Sequence, residues 1–238
     1  MDTVRLVFFL KPDAVIRRYV GARTLKTLIT KVKNLKFLTF EEISPAKEFL
    51  AEQHYGEHKG KFFFDWLVDF TISAPIYFIM IETYPENISK IREILGPTLV
   101  QKAAEEAPGT IRGKYGIYGG VNVAHASDSL ESAKRESKIW EEYLREHHGI
   151  DVNNANEQAV LEKIESYINS YIDYPIIDNT RYMELSIELS MDPSKKEEIK
   201  RKFIELLEKE TSEDFRTKRR EYLENLADIL IRNALLRK

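Results

Sequence analysis

The chain has 238 residues, with 36 Lys and Arg against 39 Asp and Glu and no Cys, a length suited to one domain plus an addition or to two small domains. The net charge of −3 supplies no basic field for nucleic acid or anionic lipid, and the missing thiols exclude disulfides, thiolate metal sites and cysteine nucleophiles. No apolar run approaches the ~18 residues of a membrane span, and the apolar run before Lys11 is too short for a signal-peptide core, so a soluble, cytoplasmic protein with no membrane or nucleic-acid partner is expected.

In chain order, residues 4–10 are a β-prone run ending at Lys11-Pro12, where proline stops a ladder. Leu25, Leu28, Ile29 and Val32 recur at helical spacing within 20–33. A second strand is expected over 35–43, after which Ser44-Pro45 supply an N-cap and an N1 proline for a helix running toward Tyr55. The aromatic stretch 62–70 reads as helix, although three consecutive Phe also suit a buried strand. Residues 75–81 are the clearest strand, and 87–95 a helix closed by Gly96. Residues 97–120 are expected as a long loop rich in Gly and Ala, a length more often functional than idle. A short strand at 121–124 and a polar-faced helix over 127–143 follow. This order implies an α+β fold, an antiparallel sheet covered by helices.

The character changes after His147-His148-Gly149, which divides the chain into a domain at 1–149 and a mostly helical extension at 150–238. Val160, Leu161, Ile164, Tyr167, Ile168 and Tyr171 share one helical face. Residues 173–180 form a turn or linker, and 183–189 alternate like a strand among neighbours that favour helix. Asp192-Pro193 opens another helix, and Thr211-x-x-Asp214 resembles a capping box for a last one. The extension shows no chemistry of its own and is expected to act in assembly or stabilisation.

The informative stretches are Pro108-Gly109-Thr110-Ile111-Arg112-Gly113 and Asn122-Val123-Ala124-His125-Ala126-Ser127-Asp128-Ser129. They bring a guanidinium, an amide and an imidazole to a strand edge where a helix begins, a natural anion site. A histidine there can be a nucleophile toward phosphorus if a carboxylate orients its ring, and Glu136 lies three turns along the following helix. On spacing alone, His125 serves equally well as a packed or capping histidine and Arg112 as a surface charge.

His125 within N-V-A-H-A-S-D-S, Lys11-Pro12-Asp13 after the first strand, and P-G-T-I-R-G in the loop together resemble the nucleoside diphosphate kinase family, from about Arg5 to about Tyr143. The resemblance implies a ferredoxin-like core and a ping-pong transfer of the γ-phosphate between nucleoside tri- and diphosphates, ATP among them, through a phosphohistidine on His125. It implies catalytic roles for His125, Glu136, Ser127 and Lys11, and contacts to phosphates and sugar from Lys11, Tyr55, Arg92, Thr98, Arg112 and Asn122. Phe63 and Leu67 would lie against the base, whose faces offer little to tell one base from another. Mg²⁺ is expected only with the nucleotide phosphates, with no dedicated metal site, since His54, His58, His147 and His148 have no convergent carboxylate in sequence.

The departures from the family pattern are Ala14 and Ala126 where glycines are usual, Val121 for an arginine, Gly119 for a larger apolar residue, and a longer 97–107 loop. Val121 and the longer loop bear on the homo-oligomer, which is expected to differ from the family's common hexamer. Two other readings stand beside the kinase: a weakly catalytic nucleotide-binding scaffold or sensor of the same fold, and a nucleic-acid module using the basic run Arg216-Thr217-Lys218-Arg219-Arg220, which Glu221 interrupts.

Overall fold

The computed structural model describes residues 2–174 and 179–236. The strands are β1 (Val4–Leu10), β2 (Lys36–Phe37), β3 (Glu41–Ile43), β4 (Ile76–Thr83) and β5 (Ala124–Ala126). They form one antiparallel sheet in the order β2-β4-β1-β5, with β3 also on β4. The helices are α1 (Pro12–Ile16), α2 (Arg18–Lys31), α3 (Lys47–Phe49), α4 (Phe64–Thr71), α5 (Glu86–Leu95), α6 (Val100–Glu106), α7 (Ile111–Tyr115) and α8 (Leu130–His148). Beyond them lie α9 (Glu157–Tyr171), α10 (Thr180–Met191), α11 (Lys196–Glu210), α12 (Glu213–Thr217) and α13 (Glu221–Ala234). The α+β class expected from the element order is the one found.

The continuous apolar runs of β1 and β4 are explained by burial on both faces of the sheet. Leu6, Phe8 and Leu10 with Ile79 and Ile81 point into one apolar cluster, which α1, α2 and the extension helices complete. Val7 and Phe9 with Phe78 and Met80 point into the other, closed by Leu50 and by Trp140 and Leu144 of α8. The period of two along a strand thus sorts consecutive side chains to opposite layers.

Several local readings need correction. The strand expected at 35–43 is two short strands, because Thr39 turns its side chain back to accept from the Met80 N–H and interrupts the ladder. Pro45 precedes its helix rather than opening it: Ala46 is the cap of α3, held by a bond from its N–H to Tyr143 Oη, and the chain continues as a π turn over Leu50–His54. The expected loop 97–120 contains α6 and α7, the second capped by Thr110. The strand predicted at 121–124 shifts to β5, and its helix starts at Leu130 with a capping box between Ser129 and Ser132.

In the extension, 183–189 lies within α10, so the helical reading holds. The turn expected at 173–180 falls partly outside the described residues. Thr211 is not the N-cap of the next helix, a position Ser212 holds; its hydroxyl donates to Ile16 O instead, and the last helical stretch is divided into α12 and α13. α9 packs on α2, while α13 packs on α10, α11, α1 and α4. No helix among the described residues is long and apolar enough to cross a membrane.

Candidate active site

β5 brings the imidazole into place. His125 pairs with Phe9 of β1, so both side chains lie on the sheet face that α8 covers, with the two rings stacked 4.7 Å apart. From α8 the buried Glu136 places Oε2 2.8 Å from His125 Nε2, and Ser127 Oγ donates to the same oxygen at 2.8 Å. Ser127 is itself fixed by the Val7 N–H, which donates to its hydroxyl at 3.1 Å. Burial alone would raise the Glu136 carboxyl, but the neighbouring His125 and the hydrogen bonds from His125 and Ser127 hold it at about 2. An ionised carboxylate accepts only, so His125 Nε2 carries a proton, and in the neutral imidazole the lone pair lies on Nδ1.

Lys11 follows β1 and donates from Nζ to Asn122 Oδ1 at 2.8 Å, while Asn122 Nδ2 donates to Thr98 O at 2.7 Å. Arg112 is nearly buried, its guanidinium donating to Gly96 O and Ala124 O, both at 2.9 Å. Burial, then Arg112 and Arg92, bring the Lys11 ammonium down to about 7. Burial and Arg92 bring Arg112 down to about 9. Three cations held this close, with Asp13 the carboxylate acting on Lys11 and Arg112, favour an anion.

The backbone between Asn122 and His125 is bent to reach this arrangement. Val123 has φ of 79°, an uncommon conformation for a β-branched residue. Asp13 stabilises it, its Oδ2 accepting from the Val123 N–H at 3.0 Å, while Val123 O accepts from the Lys11 N–H at 2.9 Å. The third residue of the Lys-Pro-Asp stretch therefore anchors the segment carrying the nucleophile candidate. Ala126 is an ordinary strand residue opposite Phe8, so a glycine's freedom is not needed there.

These groups open on one cleft of about 790 Å³. Lys11, Tyr55, Phe63, Leu67, Arg92, Thr98, Arg112, Asn122, His125 and Glu136 all line it, so ten of the candidate residues converge and Ser127 stands behind Glu136. Two contributions were not foreseen. The buried His54 sets its ring edge-on to His125, with centroids 4.7 Å apart. Its i, i+4 partner His58 also lines the cleft, and nothing in their spacing pointed to His125. Asn233, Ala234 and Leu236 reach the cleft from α13 and the residues just after it. Only tertiary packing brings them there, and no local motif announced them.

His54, His125 and Glu136 place possible ligand atoms within 4.8 Å of one another. The indole of Trp140 donates to His54 Nδ1 at 3.1 Å, however, which requires the lone pair of that nitrogen and leaves the proton on Nε2. A carboxylate thus does converge on His54, contrary to the sequence reading, but the protonated Nε2, which has no hydrogen-bond partner among the described residues, offers a metal no lone pair.

A family model described as nucleoside diphosphate kinase matches residues 5–143. The chain is 43% identical over 160 residues to a nucleoside diphosphate kinase of Staphylococcus carnosus, covering 66% of this chain and 97% of that protein. It is 42% identical over 142 residues to one of Schizosaccharomyces pombe, covering 59% and 87%. Among solved structures, the nucleoside diphosphate kinase of Aquifex aeolicus superposes with a TM-score of 0.52 at 32% identity, over 58% of this chain and 94% of that one. A nucleoside diphosphate kinase family protein of Babesia bovis gives 0.50 at 39% identity, over 59% and 88%.

Proposed function

The chain belongs to the nucleoside diphosphate kinase family and is a phosphotransferase acting on nucleotides, and from that premise we propose that its cleft passes a γ-phosphoryl group through His125. The observation that carries this reading is the single Glu136 oxygen that takes both the His125 Nε2–H and the Ser127 hydroxyl, leaving Nδ1 as the free lone pair. In the first half-reaction that lone pair attacks the γ-phosphorus of a nucleoside triphosphate. The Nδ1–P bond forms, the bond from phosphorus to the bridging oxygen breaks, and the nucleoside diphosphate leaves with the electron pair. In the second half-reaction a terminal oxygen of another diphosphate attacks the same phosphorus, and Nδ1 recovers its lone pair.

The protein's contribution is positional and electrostatic. Glu136 fixes the ring and balances the charge that the imidazole acquires when phosphorylated. Arg92 and Arg112 face the charge spread over the transferring oxygens. Lys11 and Asn122, already bonded to each other, are placed to hold phosphate and ribose hydroxyls, with Thr98 and Tyr55 beside them. Phe63 and Leu67 offer the base apolar contact. Mg²⁺ supplies further neutralisation when it enters with the phosphates.

Incubation with γ-labelled ATP tests the reading. The label should bind the protein in a form stable to base and labile to acid, and His125→Ala should carry none. Label persisting in His125→Ala would place the nucleophile elsewhere. Nucleotide binding with no label in the wild-type chain would favour a scaffold or sensor instead.

A further inference from the structure

The cleft has two chemically different ends. Lys11, Arg92 and Arg112 surround the end at His125, while α4 and the residue before it supply Phe63, Trp66 and Leu67 to the other. The last helix is built onto the second end. Trp66 Nε1 donates to Ile229 O at 3.2 Å, which ties α13 to α4 one turn before Asn233. Asn233 Nδ2 then donates to Tyr118 O at 2.8 Å, and its Oδ1 lies 3.5 Å from the Gly120 N–H. Gly119, at φ of 55°, has no side chain, and a Cβ there would stand 2.8 Å from both polar atoms of the Asn233 amide. The amide therefore lies flat against Gly119 and grips the turn at 118–121. That turn leads directly into Asn122, and Asn233, Ala234 and Leu236 line the cleft.

We propose that the end of α13 forms the base-end wall of the nucleotide cleft and that Asn233 is a specificity-determining residue there. The proposal rests on the phosphoryl-transfer reading above. An asparagine amide has two N–H donors and two acceptor lone pairs. The bonds to Tyr118 and Gly120 use one donor and one lone pair, so a donor and an acceptor remain for the edge of a base held by Phe63 and Leu67. Leu236, half-buried, adds apolar contact beside it. The extension thus supplies a side chain that meets the base and takes no part at His125.

The test uses the full-length chain and its Asn233→Ala and Leu236→Ala variants. Transfer from ATP is measured to GDP, CDP and UDP, and to ribose 5-diphosphate, which carries sugar and phosphates without a base. For Asn233→Ala, KM should rise by about five- to tenfold for the nucleotide acceptors, unequally among the bases. KM for ribose 5-diphosphate should change less than KM for any of the three nucleotides. Leu236→Ala leaves the bonds to the turn in place and should raise KM for the nucleotides alone, so the test stands even if Asn233→Ala does not fold. Equal changes for all four acceptors, or none in either variant, would overturn the proposal while leaving the phosphoryl-transfer reading intact. Absence of transfer in the wild-type chain would instead remove that reading, and this proposal with it.

Discussion

In the proposed reaction the residue that acts most directly on His125 is Glu136, because one of its oxygens gathers two donors. Glu136→Ala should lower turnover by about 10–10³-fold and leave nucleotide affinity nearly the same, as measured by single-turnover transfer and equilibrium binding. Equal losses in both would assign Glu136 to the fold. The same carboxylate makes stability pH-dependent. Its pKa is held at about 2 against an ordinary 4.5, so its contribution is complete above 4.5 and disappears as pH falls toward 2. That contribution is on the order of 3 kcal/mol. In urea unfolding, the gap between wild type and Glu136→Gln should close over that range; a gap constant from pH 2 to 6 would contradict the linkage. In the same proposed reaction Lys11 helps to capture the phosphates. With its pKa at about 7, it is charged below that pH and neutral above it. Because kcat/KM reports the free enzyme, it should fall as pH rises through 7, a limb that Lys11→Met should lack. A Lys11→Met profile with the same limb would assign it to another group.

At the scale of elements, one buried ion pair ties the helices after β1 to the extension. Arg17 Nε lies 3.0 Å from Glu210 Oε2, both side chains fully buried, and Tyr19 and Tyr182 each donate to Glu210 at 2.5 Å. Glu210→Ala removes the carboxylate paired with the buried guanidinium, leaving it Tyr115 O and the field of Asp13, at an expected cost of about 3–5 kcal/mol in denaturant unfolding. A loss below about 1 kcal/mol would mean that water reaches Arg17 readily. A second tie is steric: a Cβ on Gly21 would stand 2.5 Å from Tyr167 Oη and 2.9 Å from a Leu10 methyl, so any larger residue there would push these side chains aside at the α2–α9 contact. These ties show why parts of the fold were legible in the sequence and parts were not. β1, β4, α4 and α5 could be read because their apolar period or terminal signals are local. That Lys11, Arg112, Asn122 and His125 share one cleft could be expected because the motifs holding them are short and contiguous, and Glu136 joins them by its position along the following helix. The strand at 35–43 broke at Thr39 through a bond to β4, and α6 and α7 are brief helices hidden among glycines. Asn233 and His54 reach the cleft through packing between segments far apart in sequence, which no local pattern encodes.

For the molecule as a whole, the extension completes the core instead of hanging from it. Residues such as Leu185, Phe203, Leu226 and Leu230 belong to the same apolar cluster as Leu6, Tyr19 and Trp66. Val121, at the position where the family pattern has an arginine, is fully buried in that cluster. Ending the chain near Gly149 would expose this surface and leave Arg17 without Glu210. The truncated protein should therefore lose thermal stability and bind nucleotides more weakly, while its His125 neighbourhood, built from β1, β5 and α8, stays complete. Unchanged melting and unchanged affinity would mean that the extension closes nothing.

The central claim is that His125 is an intermediate station for the phosphoryl group. It is tested most directly by isolating the labelled phosphoprotein, freed of nucleotide, and adding an unlabelled nucleoside diphosphate. The account predicts that the label leaves the protein within the time of a turnover and appears quantitatively as the matching nucleoside triphosphate, for purine and pyrimidine acceptors alike. Label that remains on the protein, or departs only as inorganic phosphate, would contradict it.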